Sequence, residues 1–436
     1  MEKGGKAVLR VLPQIAMYDT PVKIGASGLS ANQRITVSAN VDYANSEFQS
    51  QAHYVADPSG AVDCQSSPSL GGSFKGLHPM GLFWSLKPIA GQRPGSRLLP
   101  RDVSQPIKYR FRLFDQHVTD LGGSPLAETV VERHLVHPHV TYADIEVGRL
   151  RGTFFMPKVP QGQKIPAIID LFGTAGGLVQ YRSALLSSHG FAALSLAYFA
   201  YKDLPKDLSK PIELDYFEEA SNWLSDQPNI GNIGLLGVSL GADIACLSGI
   251  FLPKIKAIAA INAFHMVEPL NPLSYKGIPF ELCESDMSKV EVIDDVINYG
   301  AVRNAIETEE NCIYPVRLAP EHKRFLLLPC ADDQNTPAVK CARILKERFQ
   351  QAGKASQCRV EEMEGAGHLL EPPFTPYCPF SFHKVGNCLI KWGGDMYQHA
   401  AAQDKAWKLV REYFAENLGS PAKVISFDGC GTNSSL

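Results

Sequence analysis

Ile233-Gly234-Leu235-Leu236-Gly237-Val238-Ser239-Leu240-Gly241-Ala242-Asp243-Ile244-Ala245-Cys246-Leu247 decides the fold. Its first six residues form an unbroken apolar run, as expected of a strand buried on both faces in a parallel sheet. The run meets G-x-S-x-G at Gly237, and a helix-compatible stretch follows from Ala242 towards Ile250. A strand, a sharp turn between glycines and then a helix is the context a nucleophile elbow requires. Glycines let the chain pass close to itself, so the Ser239 hydroxyl stands clear of the sheet. The helix N-terminus that follows favours negative charge developing beside it.

Outward from this motif, the pattern repeats. Apolar runs at Ala167 to Phe172, Ala192 to Tyr198, Ile255 to Ile261 and Arg324 to Pro329 alternate with helical stretches, including Leu214 to Leu224 and Lys340 to Ala352. Continuous apolar strands separated by helices predict an α/β domain with a mostly parallel sheet and helices on both faces, over 141–418. A hairpin at Ala143 to Pro157 introduces it. Before it, short strands at Lys6 to Leu12, Arg34 to Val41, Phe48 to Val55, Ile107 to Phe114 and Leu126 to Val136 are separated by turn-rich segments such as Asp57-Pro58-Ser59-Gly60. This spacing predicts an antiparallel, immunoglobulin-like β-sandwich over 1–140. It carries no titratable cluster with catalytic spacing, so its role reads as structural or substrate-gating. The segment 419–436 reads as a polar, loosely ordered tail.

A serine nucleophile needs a base, and the base an orienting acid, in this fold in the order Ser, Asp or Glu, His. Beyond the strand Phe325-Leu326-Leu327-Leu328 comes Asp332-Asp333-Gln334-Asn335-Thr336-Pro337. Asp333 is the preferred acid and Asp332 the alternative; either also suits a plain turn. Gly365-Ala366-Gly367-His368 follows the strand Cys358 to Met363, and its place in the order makes His368 the base. An oxyanion hole needs two backbone N–H donors. One is expected from Leu240, the other from Gly173 or Thr174 in the loop Phe172-Gly173-Thr174-Ala175-Gly176-Gly177.

At 436 residues the chain exceeds one ordinary core and calls for two or three domains. Its net charge of −3 and the absence of a Lys/Arg run argue against nucleic acid as a partner. Ten cysteines at irregular intervals, none in C-x-x-C, argue against a zinc ribbon and fit a reducing compartment. No secretory signal and no membrane-spanning stretch are expected. Ser434-Ser435-Leu436 is similar to a peroxisomal address without its basic middle residue, which leaves cytoplasm and peroxisome open. Oligomeric state is open as well.

Taken together, these motifs resemble the acyl-CoA thioesterase and bile acid-CoA:amino acid N-acyltransferase family. The resemblance rests also on Leu70-Gly71-Gly72-Ser73-Phe74, Pro79-Met80-Gly81-Leu82-Phe83-Trp84, Leu214-Asp215-Tyr216-Phe217-Glu218-Glu219-Ala220, Gly367-His368-Leu369-Leu370-Glu371-Pro372-Pro373 and Trp392-Gly393-Gly394. It implies an acyl-CoA substrate, attack by Ser239 on the thioester, an acyl-enzyme released by water, and no metal or redox cofactor. The conjugating transferases of this family typically carry a cysteine nucleophile, so Ser239 favours hydrolysis over transfer to glycine or taurine. Leu240 replaces the lysine usual after the thioesterase serine. Only the backbone of that residue enters the chemistry expected here. A silent acyl-CoA-binding protein and a general ester or peptide hydrolase are the remaining alternatives.

Overall fold

The computed structural model describes residues 6–424 and Phe427. The chain divides into two compact units, the first running through Leu135 and taking in Pro373–Tyr377, the second beginning at Val136 and resuming at Cys378.

The first unit holds two sheets. One has three strands, Val8–Leu12, Lys23–Ser27 and Val62–Asp63, all paired antiparallel. The other has six, with Arg34–Tyr43 between Ser46–Val55 and Ile107–Asp115 at its centre. Along Ile107–Asp115 the burial alternates: Ile107, Tyr109, Phe111 and Leu113 face the core, as a strand period of two requires. The sandwich is not purely antiparallel. Ile15–Met17 pairs parallel with Ala127–His134, a strand of three residues too short to show a pattern in the sequence.

The second unit is built on eight strands: β1 (Val140–Val147), β2 (Leu150–Pro157), β3 (Ile165–Leu171), β4 (Ala192–Ala197), β5 (Ile230–Val238), β6 (Ile255–Ile261), β7 (Arg324–Leu328) and β8 (Cys358–Val360). Their order in the sheet is β1-β2-β4-β3-β5-β6-β7-β8. Pairing is parallel from β4 to β8, while β1–β2 and β2–β4 are antiparallel. Every residue of β3 and β4 is buried, which explains their continuous apolar runs. The longer helices among the described residues are α1 (Tyr181–Ser188), α2 (Leu214–Ser225), α3 (Leu240–Phe251), α4 (Ala338–Gln351) and α5 (Met396–Leu418). α2 and α4 bury one stripe each, Leu214, Phe217, Ala220 and Leu224 on the first. α3 is apolar almost all round and is buried from Leu240 to Ile250, so it packs centrally.

Two segments lacking a legible pattern build further sheet. The hairpin Glu291–Ile293/Val296–Asn298 pairs parallel with Cys388–Lys391, which pairs antiparallel with Phe380–His383. The tail expected to be loose from Gly419 is anchored at its start: Ala422 is buried and its N–H donates to the Gly190 carbonyl at 2.8 Å. Ser434-Ser435-Leu436 lies outside the described residues. No helix among the described residues is long and apolar enough to cross a membrane.

Candidate active site

β5 ends at Val238 and α3 opens at Leu240, so one residue makes the whole turn. That residue is Ser239, with φ 56° and ψ −130°. Holding a residue with a side chain there costs about 1–3 kcal/mol, and the surroundings must enforce it. Ser239 N–H donates to the Ile261 carbonyl at 3.0 Å, and its own carbonyl accepts from Ala242 N–H at 2.7 Å. The flanking glycines are sterically required. A Cβ on Gly237 would lie 2.0 Å from the Gly241 carbonyl oxygen, and one on Gly241 would lie 2.6 Å from that of Leu171.

The loop after β3 lies against this serine. A Cβ on Gly173 would stand 2.9 Å from Ser239 Cβ and 3.3 Å from its Oγ. Tyr198, just past β4, donates its hydroxyl to the Phe172 carbonyl at 2.6 Å. Burial pushes the Tyr198 phenol far above its ordinary range, with the Asp243 carboxyl adding to the effect, so it stays a neutral donor. Leu240, as the first residue of α3, has an N–H with no acceptor inside its own helix.

The candidate acid and the candidate base meet directly. His368 Nδ1 and Asp333 Oδ2 are 2.7 Å apart, and both side chains are almost fully buried. The second oxygen of Asp333 accepts from Asn335 N–H at 2.7 Å and Thr336 N–H at 2.9 Å, which restrains the carboxylate from its other side. Asp332 turns elsewhere: its oxygens accept from Gln334 Nε2 at 2.8 Å and Gly394 N–H at 3.0 Å. With Nδ1–H donating to Asp333, the neutral ring keeps its basic lone pair on Nε2.

Three supports went unread in the sequence. Asn262 follows β6 with φ 56°. Its Nδ2 donates to the His368 carbonyl at 2.9 Å and its Oδ1 accepts from Cys330 N–H at 2.8 Å. Neighbouring residues thus hold both parts of the site, the Ile261 carbonyl the serine and the Asn262 amide the histidine. Trp392 stacks on the His368 ring, with centroids 5.4 Å apart and planes 14° apart, and its carbonyl accepts from His368 N–H at 2.9 Å. Arg303 reaches the acid loop from the short helix Gly300–Asn304. It donates to Glu268 at 2.7 and 2.8 Å and to the Asn335 carbonyl at 3.0 Å. An asparagine after an apolar run was the only local signal for Asn262; Arg303 left none.

This sheet order, with a strained serine where β5 turns into α3 and a buried His–Asp pair beyond β7 and β8, defines an α/β-hydrolase. Family models match both parts of the chain. The one described as acyl-CoA thioester hydrolase/BAAT N-terminal region matches residues 19–147. That described as BAAT/acyl-CoA thioester hydrolase C terminal matches residues 212–420. Among similar curated proteins, the peroxisomal succinyl-coenzyme A thioesterase of Mus musculus is 36% identical over 92% of this chain and 94% of its own. The mitochondrial acyl-coenzyme A thioesterase 2 of Homo sapiens is 36% identical over 93% of this chain and 84% of its own. Acyl-coenzyme A amino acid N-acyltransferase 1 of Mus musculus is 36% identical over 93% and 96%. The chain belongs to the acyl-CoA thioester hydrolase/BAAT family. Solved structures match more loosely, for example a Pyrococcus horikoshii acylaminoacyl peptidase at 12% identity and TM-score 0.42, covering 98% of this chain and 64% of that one.

Proposed function

We propose that the protein hydrolyses acyl-CoA thioesters through Ser239, His368 and Asp333. The observation that carries this reading is the buried His368–Asp333 pair at 2.7 Å, beyond the same C-terminal end of the parallel strands as a strained serine. His368 Nε2 takes the Ser239 proton as Oγ attacks the thioester carbonyl. Asp333 keeps the ring in the tautomer with Nε2 unprotonated and stabilises the imidazolium that forms. The tetrahedral oxyanion is received by Leu240 N–H and by an N–H of Gly173 or Thr174. Collapse breaks the C–S bond and expels the thiolate of CoA, which takes the proton from His368 and leaves an acyl-enzyme. Water, deprotonated by the same nitrogen, then releases the acid.

The relatives named above support acyl-CoA as the substrate class, and the serine in place of cysteine favours water over an amine as acceptor. The test is free-thiol release from short-, medium- and long-chain acyl-CoAs, with and without glycine or taurine. Chain-length-dependent release, reduced at least about a thousandfold in Ser239→Ala, is expected. No release from any chain length sinks the reading. Conjugates accumulating with glycine or taurine would put the transferase activity in its place.

A further inference from the structure

The strand Phe380–His383 presents Ser381 and His383 on one face, two residues apart, both buried, while Phe380 is exposed. Ser381 Oγ accepts from Trp392 Nε1–H at 2.8 Å, and Trp392 stacks on His368. His383 Nε2 lies 3.1 Å from Thr174 Oγ1, in the turn whose Gly173 abuts Ser239. One strand face therefore reaches both Trp392, which stacks on His368, and the loop that abuts Ser239.

The direction of the His383–Thr174 bond follows from the other ring nitrogen. Gly386 N–H donates to His383 Nδ1 at 3.0 Å, so Nδ1 carries no proton. The neutral ring holds its proton on Nε2 and donates it to Thr174. Burial lowers the His383 pKa from its ordinary value, which favours this neutral form. Tyr198 holds the Phe172 carbonyl from the β4 side and Gly177 N–H donates to the Phe199 carbonyl at 3.0 Å, while His383 holds the turn at Thr174. A glycine-containing turn has backbone freedom that each such anchor restrains. A misplacement of about 1 Å at a reacting centre can cost two orders of magnitude in rate.

We infer that His383 is a positioning residue for acyl transfer at Ser239, holding the Phe172–Thr174 turn in its oxyanion-binding position through the Thr174 side chain. The inference rests on the serine-hydrolase reading above. Its test compares wild type with His383→Phe, His383→Gln, Thr174→Val and the His383→Phe/Thr174→Val double variant. Two rates are read: kcat and KM for thiol release from acyl-CoA, and phosphonylation of Ser239 by a fluorophosphonate, which needs no thioester.

His383→Phe and Thr174→Val are each expected to lower kcat about 10- to 100-fold with KM within about threefold, because the support acts on the transition state. The double variant should fall no further than the worse single one, since both break the same link. His383→Gln, whose amide can still donate to Thr174, should recover at least about fivefold over His383→Phe. A kcat within about twofold of wild type in His383→Phe overturns the inference, as do multiplied losses in the double variant or a glutamine no better than phenylalanine. If wild type releases no thiol but is phosphonylated at Ser239, the thioester reading alone fails, and the labelling rates of the variants decide this one. If Ser239 is not labelled at all, both fall.

Discussion

Asp243 stands four residues after Ser239, on the first turn of α3, and is only 8% exposed. Its Oδ1 accepts from Phe264 N–H at 2.7 Å. Burial, reinforced by the nearby Glu268 charge, pushes its pKa up to about 8 from an ordinary 3.8. Between those values the native state keeps a proton that the unfolded chain has released, so this group's contribution to stability falls as pH rises and levels off above about 8. Asp243→Asn removes the titration and keeps an acceptor for Phe264. The melting temperature of wild type relative to Asp243→Asn should therefore drop steadily from about pH 5 to about pH 8. A difference that stays constant across that range would mean the carboxyl is ionised in the fold. At this scale the elbow was legible in the sequence, because Gly237 answers to a clash with Gly241 only four residues on, although Gly241 itself answers to the distant Leu171 carbonyl. The choice between Asp332 and Asp333 was not: both suit the turn, and only the His368 ring and the Gly394 N–H, from two other segments, separate them.

Among the elements, α1 is fastened to the end of β3 by Arg182. Its guanidinium pairs with Asp170 and donates to the Leu171 carbonyl at 2.9 Å, both ionic side chains being 2% exposed. It also lies over the Phe172 ring at 5.4 Å, so the pair braces the strand that delivers the Phe172–Thr174 turn. Removing one member of such a pair leaves a buried charge uncompensated, while removing both can be close to neutral. Arg182→Met should cost about 3–5 kcal/mol in denaturant unfolding, and Arg182→Met/Asp170→Leu should recover most of that loss. Equal destabilisation in both would show that packing, not the unpaired carboxylate, sets the cost. Long elements were readable because their burial has a period: α2 and α4 show one stripe, β3 and β4 none. The sheet of 291–298, 388–391 and 380–383 was not, because strands of three or four residues are too short to carry a period and take their stability from the partner they find.

For the whole molecule, Pro373–Tyr377 is counted with the first unit although it follows the His368 loop by a few residues. Tyr377 N–H donates to the Trp84 carbonyl at 2.8 Å, and Tyr18 donates its hydroxyl to Thr375 at 3.3 Å. A chain truncated to begin at Val136 keeps its own core but loses both bonds, each worth about 1 kcal/mol. It should fold with a lower melting temperature and turn over acyl-CoA more slowly; matching values for both would show that the segment needs no partner. The sequence alone determined the fold class, the order of strand and helix in the second unit, and the strained turn at Ser239. Each of these is written in local periodicity or in sterics between near neighbours, which survive without knowledge of the rest of the chain. Only the tertiary structure decided which aspartate meets His368, that Asn262 and Trp392 hold the histidine loop, and that His383 reaches Thr174. Those contacts join residues from 24 to more than 200 positions apart. Their geometry is fixed by the packing of whole sheets and not by any stretch a reader can isolate.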